Sequence, residues 1–338
     1  MNFYGNNIQI SVQGEKHGAD VLVGLSGLPA GLPLDVEAAF RAAARQVPGM
    51  SEMGAEPELV APALLCGLCD GVTTGEGLTA VLRCAADPPQ TGNVPRPGHE
   101  DLAAMARYGE TRFTGGAYSP RLGMAVAFLG ALCMQILSVG GIEIAARLVE
   151  VGGERGEELD FNMRRALLDA RGNGDSVGGV VECAARGLPA GLGSPAFDGV
   201  DARIAGLLFA LPGVKAVEFG EGCAFAAMRG SAANDQIVLR EGRVVPETNH
   251  SGGVDGGMTT GAPLTLRVTL RPNPDVGREQ RSVELTTMEE IPVRRRGRHE
   301  PCLAPRSIPA VEGAVAFCLL DAMLDPGRKQ PRESGSAQ

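Results

Sequence analysis

Hydrophobic and polar positions along the chain predict two similar halves. The segments Val-Leu-Val at 21–23 and Val-Val-Glu at 180–182 are typical of strands, and each is followed by a segment with helical periodicity, at 36–45 and 200–211. The hexapeptide Gly-Leu-Pro-Ala-Gly-Leu stands between strand and helix in both halves, at residues 27–32 and again at 187–192. The order strand, turn, helix therefore occurs twice in the sequence.

A second pair of segments follows in the same order. A glycine- and threonine-rich turn at 70–75 precedes the apolar run 78–82, and a similar turn at 256–261 precedes 264–268. Two ordered similarities predict a duplicated strand–turn–helix–strand unit. We expect two pseudo-equivalent sheets with helices packed between or over them, and a ligand site where the halves meet.

Three further segments differ from this repeat. The stretch 122–148 is strongly apolar and predicts a helix, buried at 124–139, where Gln135 and the short length argue against a membrane span. Residues 154–168 are charged and amphipathic, which predicts a surface helix. The polar end 325–338 is expected to be disordered.

These segments give the expected domain organisation. We predict one domain over 1–324, with pseudo-repeats at roughly 6–120 and 170–324.

Composition narrows the class of partner. The 338 residues are 44% hydrophobic but only 4% aromatic, with 48 glycines and a net charge of −9. Few aromatic rings and a surplus of acidic residues argue against binding to nucleic acid. Because the net charge is negative, an anionic ligand would need a local cluster of cations, such as the basic run 294–298. The polar N-terminus has no apolar signal segment, which predicts a soluble cytoplasmic protein without a membrane partner.

Eight cysteines lie mostly inside apolar segments, which predicts buried thiols and no disulfides. Cys66 and Cys69 have the spacing of half a zinc site but no second pair, so no metal is expected.

All four histidines fall in segments rich in glycine or proline: His17, His99, His250 and His299. Glycine lets the backbone approach a ligand closely, and histidine transfers protons near neutral pH. The loop 248–261 is the richest in small residues. It is open to two interpretations, an anion-binding concavity of N–H groups or a tight hairpin between strands.

Six short motifs occur in order at 14–18, 96–99, 172–179, 186–192, 249–253 and 297–302. Together they resemble the motifs of chorismate synthases, and the similarity extends from about residue 6 to 324. The resemblance implies an α+β fold, a β-α-β sandwich with an internal pseudo-twofold repeat, assembled as a homotetramer. It also implies reduced FMN as cofactor, NADPH as a candidate source of reducing equivalents, and a 1,4-elimination of phosphate from the small anionic substrate 5-enolpyruvylshikimate 3-phosphate.

Catalytic roles follow from the resemblance. His17 is expected to protonate the departing phosphate, and His99 to stabilise the anionic reduced flavin. Glu300 stands where the family has an aspartate, and its extra methylene changes the position of the carboxylate.

Flavin contacts carry over by the same resemblance, with departures at Ala117, Pro212, Gly213 and Arg271. The expected flavin-binding residues are Ala117, Tyr118, Ser119, Pro212, Gly213, Gly256, Arg271, Pro272, Asn273, Pro274, Asp275 and Arg298.

The segment 45–52, which we call the substrate arm, departs most from the family. Arg45 and Arg121 retain cations, but Gln46 and Glu52 stand where arginines usually face the substrate. Three hypotheses therefore stay open: a divergent chorismate synthase, a flavin-binding paralogue with a less anionic substrate, or a catalytically silent oligomeric binding protein.

Overall fold

The structure is a computed structural model, which describes residues 1–14, 20–45, 59–84, 93–109, 121–294 and 300–327. Its strands are β1 (Asn2–Tyr4), β2 (Gln9–Gly14), β3 (Asp20–Ser26), β4 (Leu59–Cys66), β5 (Leu68–Cys69), β6 (Val72–Thr73), β7 (Leu78–Cys84), β8 (Glu143–Val151), β9 (Glu154–Arg155), β10 (Gly179–Arg186), β11 (Val214–Phe219), β12 (Ile237–Arg240), β13 (Arg243–Pro246), β14 (Val254–Asp255), β15 (Met258–Thr259), β16 (Leu264–Leu270), β17 (Gln280–Glu284) and β18 (Glu289–Val293). Its α-helices are α1 (Val36–Ala43), α2 (Asp101–Tyr108), α3 (Arg121–Val139), α4 (Phe161–Gly172), α5 (Val200–Ala210), α6 (Gly230–Ala233) and α7 (Ala304–Met323).

Two five-stranded antiparallel sheets share the arrangement of four strands and differ at one edge, where β1 precedes β2 in the chain but β9 follows β8. The first has the order β1-β2-β3-β7-β4, and the second, read from its β9 edge, has the order β9-β8-β10-β16-β11. In both, a strand is followed by a helix and an edge strand before the chain returns to the middle of the sheet. Alternate residues of the central strands are buried, as in β10 and β16, so each sheet has one face toward the core.

Helices α3 and α7 form the layer between the sheets. Helix α3 packs on β2 and β3, α7 packs on β8 and β10, and the two helices contact each other along their length. Gly130 and Gly313 lie at their crossing, where a Cβ on Gly130 would be 2.0 Å from the Cα of Gly313. This arrangement confirms the expected α+β sandwich with an internal repeat.

The repeat extends to single hydrogen bonds. The hydroxyl of Thr73 donates to the Pro29 carbonyl (2.7 Å) and accepts the Leu32 N–H (2.9 Å). In the second half, the hydroxyl of Thr259 makes the equivalent bonds to Pro189 (2.7 Å) and Leu192 (2.9 Å). Each repeated hexapeptide is therefore held by a threonine from the neighbouring hairpin.

The glycine-rich loop contains a tight hairpin, the second of its two interpretations. Strands β14 and β15 are joined by Gly256 and Gly257, both with positive φ, and β5 and β6 are joined in the same way by Asp70 and Gly71. Successive positive φ angles match the twist of paired strands, and glycine adopts them at little cost.

The predicted apolar helix over 122–148 is wrong at its end. Helix α3 stops at Val139, because the chain turns at Gly141 (φ 74°) and the N–H groups of Gly140, Gly141 and Ile142 bond back into the last turn. Residues from 143 onward form β8.

The predicted surface helix over 154–168 is wrong at its start. Residues 154–155 pair with β8, and α4 begins only at Phe161, where the Asp160 side chain accepts the Met163 N–H (2.9 Å). The second sheet thus includes strands that precede residue 170, and the limits proposed for the repeats stay a prediction.

The structure describes the side chains of seven cysteines, and all are free thiols. Cys133, Cys183, Cys302 and Cys318 are buried, whereas Cys66, Cys69 and Cys223 are exposed, contrary to the expectation for these three. Among the described helices, none is long and apolar enough to cross a membrane.

Candidate functional site

The segment that carries His99 is held by the hairpin of β17 and β18. The Leu285 N–H donates to the Asn93 carbonyl (2.9 Å), Asn93 Nδ2 donates to Thr286 (2.7 Å), and the Ser282 hydroxyl donates to the Pro95 carbonyl. These contacts fix the approach to the Arg-Pro-Gly-His motif before α2 begins.

Arg96 and Asp101 lock this motif from the other side. The carboxylate of Asp101 is fully buried and accepts the backbone N–H of Arg96 (2.7 Å), its Nε (2.8 Å) and its Nη2 (2.6 Å). Burial opposes the charge of the guanidinium, but the hydrogen bond and charge of Asp101 outweigh it and raise the pKa of Arg96. Arg96 is therefore a permanent cation within the histidine loop.

His99 is half-buried, and its ring is fixed by the backbone. Its Nδ1 lies 3.1 Å from the carbonyl oxygen of Pro97, which can only accept, so Nδ1 carries the hydrogen. Burial and, second, the charge of Arg96 lower the pKa of His99 below 6.5, although the bond to Pro97 and the acids Glu100 and Asp101 act the other way. At neutral pH the ring is uncharged and Nε2 can accept a proton.

Several expected flavin-binding residues meet this loop. The backbone N–H of Arg271 donates to the Gly213 carbonyl (2.9 Å), and its Nη1 donates to the Gly98 carbonyl (2.9 Å). A Cβ on Gly98 would be 3.0 Å from the Cβ of Pro274. The structure therefore brings Gly213, Arg271 and Pro274 against the residue that precedes His99, with Pro212 and Pro272 adjacent in the chain.

A small cavity lies beside His99. Its volume is about 40 Å³, enough for about three water molecules. Its lining residues come from the histidine segment, the Arg271 segment and the hairpin: Val94, Pro95, Arg96, Pro97, His99, Pro274, Gln280 and Val293.

Glu300 belongs to the same cluster. Arg306 Nη1 donates to Glu300 Oε2 (2.7 Å), and Asn273 Nδ2 donates to the Glu300 carbonyl (3.2 Å). The Ser176 hydroxyl donates to the Asn273 carbonyl (2.6 Å), and the Asn273 side chain accepts the N–H of Asp275 (3.2 Å). The 172–179 motif thus supports Asn273, which follows Arg271 in the chain and bonds to Glu300.

In the single chain, Gly256 lies away from this cluster. It is exposed in the hairpin that packs on Gly199, just before α5, whereas Gly213 follows the end of that helix. The eleven residues of α5 span about 16 Å.

The Arg45 side chain also lies away from this cluster, against the middle of α7. Its Nη2 donates to both carboxylate oxygens of Glu312 (2.8 Å each), six residues beyond Arg306 on the same helix.

Some expected site residues lie outside the described residues: His17, Gln46, Glu52, Ala117, Tyr118, Ser119 and Arg298. For Arg121 the structure gives the backbone only, at the first residue of α3.

The loop around His250 is anchored by one carboxylate. Asp235 accepts the N–H groups of His250 (2.7 Å) and Ser251 (3.0 Å) and the hydroxyls of Thr248 (2.6 Å) and Ser251 (2.8 Å), and it lies 3.0 Å from His250 Nδ1. Burial would raise the pKa of Asp235, but these donors outweigh it and hold the pKa far below its usual range.

Sequence reasoning missed the partners of the expected site residues. Asp101 and Arg306 fix Arg96 and Glu300, and Glu312 holds Arg45. Glu312 had a usable signal, since it and Asp321 are the two charged residues of the otherwise apolar stretch 308–323. Asp101 and Arg306 had none, because charged residues at helix starts are common.

Together, the two sheets, the helical layer and the cluster of histidine, arginine and glutamate define an α+β sandwich protein with a polar, cation-bearing site. A family model described as chorismate synthase matches residues 8–324. Chorismate synthase of Methanocella arvoryzae is 37% identical over 99% of this chain and 97% of the relative, and that of Thermococcus kodakarensis is 38% identical over 95% and 97%. A crystal structure of chorismate synthase superposes with a TM-score of 0.72 at 23% identity, over 95% of this chain and 92% of that one, which supports the fold.

The chain belongs to the chorismate synthase family. It is accordingly a carbon–oxygen lyase of aromatic amino-acid biosynthesis.

Proposed function

We propose that the cluster around His99, Arg271 and Glu300 is the active site for the 1,4-elimination of phosphate from 5-enolpyruvylshikimate 3-phosphate, with reduced FMN as cofactor. The observation that carries this proposal is the hydrogen bond from Arg271 Nη1 to the Gly98 carbonyl. It joins a segment expected to bind flavin to the histidine motif, although the two are 173 residues apart in sequence.

The chemistry of the described residues fits an anionic flavin nucleotide. Arg271 supplies a half-buried cation for the phosphate, and Gly98 and Gly213 allow the backbone to approach a ligand closely. The cavity beside His99 is too small for a flavin ring. We therefore expect Ala117, Tyr118, Ser119 and Arg298 to complete the site, with Gly256 contributing from the more distant hairpin. When bound, reduced flavin supplies electron density for the elimination.

The chain's own side chains hold and move protons. Nε2 of His99 can accept a proton and then carry positive charge next to an anion, which would raise its lowered pKa. Glu300 offers a carboxylate fixed by Arg306. His17 is the proposed acid for the departing phosphate, with Arg45 and Arg121 as cations for the substrate. Gln46 and Glu52 weaken the charge of that arm.

One assay tests the reaction. Purified protein is given reduced FMN and 5-enolpyruvylshikimate 3-phosphate without oxygen, and chorismate is measured. We expect turnover in the wild type and none in His17→Ala. Tight flavin binding without any chorismate from the wild type would contradict the reaction, and full turnover in His17→Ala would contradict the role of that residue.

A matched pair of variants tests the flavin site. Arg271→Ala should raise the dissociation constant of FMN on the order of tenfold to a hundredfold, since a charge-assisted contact to phosphate is lost. Arg278→Ala removes an exposed arginine that pairs with Asp175 (2.9 Å) in the same region and should leave FMN affinity unchanged. Equal effects in both variants would contradict a specific role of Arg271.

We also propose that the protein can reduce its own flavin, with NADPH as the reductant. Oxidation of NADPH by the FMN-loaded protein, followed at its absorbance band, tests this. No oxidation above the rate of free FMN would mean that an external reductase supplies the electrons.

We further propose a cytoplasmic homotetramer. Large apolar side chains exposed on the single chain support an assembly, among them Phe161 (76% exposed), Phe197 (96%) and Leu239 (72%). Light scattering coupled to size exclusion should give four copies, and a monomer at micromolar concentration would contradict the proposal.

A further inference from the structure

Helix α7 carries two buried acids in an otherwise apolar segment. From residue 308 to its end at Met323, only Glu312 and Asp321 are charged, and they are 4% and 6% exposed. Buried carboxylates are rare unless specific partners hold them, so each needs a physical reason.

Asp321 has a structural reason. Its carboxylate accepts the backbone N–H groups of Asn6 (2.8 Å), Asn7 (2.7 Å) and Ile8 (2.9 Å). It therefore ties the end of α7 to the turn between β1 and β2, where no other acceptor for these donors is described.

Glu312 differs, because a second side chain holds it. Its Oε1 accepts the Ala146 N–H (2.8 Å), and both oxygens accept Nη2 of Arg45. A well-packed apolar residue often serves stability as well as a buried ion pair does. The Ala146 N–H needs an acceptor here, but stability alone gives little reason for the ion pair with Arg45.

Arg45 stands at the boundary between the core and the substrate arm. It follows the C-cap of α1, and its side chain is 51% exposed. Within the described part of the chain, its guanidinium makes no hydrogen bond other than those to Glu312. A guanidinium is planar, so fixing Nη2 also fixes the direction of its remaining N–H groups.

We propose that Glu312 is a positioning residue, whose buried carboxylate orients Arg45 toward a phosphate or carboxylate group of the anionic substrate. This rests on the proposed function, in which Arg45 contacts the substrate. Since Gln46 and Glu52 supply no positive charge, the orientation of Arg45 determines more of the attraction in this arm.

A double-mutant cycle tests the coupling. The dissociation constant of 5-enolpyruvylshikimate 3-phosphate is measured calorimetrically on the FMN-loaded tetramer for the wild type, Glu312→Gln, Arg45→Ala and the double variant. Glu312→Gln should weaken binding on the order of tenfold, because misplaced contacts are costly, and should have no further effect when Arg45 is already alanine. Additive effects would overturn the proposal.

A second variant leaves the buried carboxylate in place. Arg45→Lys keeps the ion pair with Glu312 but has a single ammonium group instead of a fork, so it should weaken substrate binding while the unfolding midpoint stays close to wild type. Substrate affinity equal to wild type in Arg45→Lys would overturn the proposal, even if Glu312→Gln does not fold.

Asp321→Asn is the matched control on the same helix. It should lower the unfolding midpoint without changing substrate affinity, since among the described residues the Asp321 carboxylate accepts hydrogen bonds only from the turn after β1. The outcomes separate the two proposals. Coupled binding of Glu312 and Arg45 without chorismate formation would support the positioning role and contradict the reaction. Chorismate formation by the wild type, together with unchanged substrate affinity in Arg45→Ala, would support the reaction and contradict the positioning role.

Discussion

Gly130 of α3 and Gly313 of α7 bring the backbones of the two central helices into direct contact. A Cβ on Gly130 would lie 2.0 Å from the Cα of Gly313, and a Cβ on Gly313 would lie 2.4 Å from the Val126 carbonyl oxygen. Both obstacles are backbone atoms, which cannot rotate away as a flexible side chain can. The separation of the two helices is therefore set at this crossing.

Gly130→Ala should destabilise the protein by about 2 kcal/mol or more, because the helices must separate to admit a methyl group. The measurement is the free energy of unfolding in urea. Gly206→Ala is the control, since Gly206 lies in α5 with nothing within 4 Å of its Cβ position. That variant should be neutral or stabilising by about 0.5–1 kcal/mol. A destabilisation of equal size in both variants would contradict the helix contact.

The two repeats should respond alike to loss of their buried threonines. Thr73→Val and Thr259→Val each leave a carbonyl and an N–H without the hydroxyl that bridges them, which should cost about 1–3 kcal/mol. Thr73→Ser and Thr259→Ser keep the hydroxyl and should cost less than the valine variants. Chemical unfolding measures all four. A large cost in one half only would mean that the hydrogen bonds are not equivalent.

His99 should titrate below its ordinary value of 6.5, because burial and the charge of Arg96 disfavour the imidazolium. The folded state then binds protons less readily than the unfolded state, so the contribution of His99 to stability is present above pH 6.5 and falls as the pH drops through the lowered pKa. NMR of histidine-labelled protein should report this pKa and a neutral ring with the hydrogen on Nδ1. A pKa at or above 6.5, or the hydrogen on Nε2, would contradict the environment described for the ring.

Asp235→Asn should destabilise the protein at neutral pH by about 2 kcal/mol, since an ionised acceptor of several hydrogen bonds is lost. The pKa of Asp235 is lowered in the folded state, so its contribution is complete above the ordinary value of 3.8 and is lost as the pH falls through the folded pKa. The difference between wild type and variant should therefore shrink in strongly acidic solution.

Urea unfolding at pH 7 and in strong acid measures that difference. Asp255→Asn is the control, because Asp255 is exposed and its carboxylate accepts no hydrogen bond from the residues that the structure describes. The anchoring role of Asp235 would be wrong if the two asparagine variants were equally stable at pH 7.

The sequence by itself determined the repeat, the central strands and the family, because local patterns encode all three. Alternating apolar residues specify strands, and the repeated hexapeptides require the same turn twice. The end of α3 and the start of α4 were predicted wrongly, since a glycine turn at Gly141 and a cap at Asp160 override the apolar and charged patterns beyond them.

Only the tertiary structure decided what surrounds each candidate residue. Arg271 is 173 residues from Gly98 in sequence, and Arg45 is 267 residues from Glu312, yet both pairs are within hydrogen-bonding distance. Such pairs form when sheets and helices pack, so no local pattern encodes them. The sequence indicates which residue types can do the chemistry, and the packing determines their partners, their protonation and their direction.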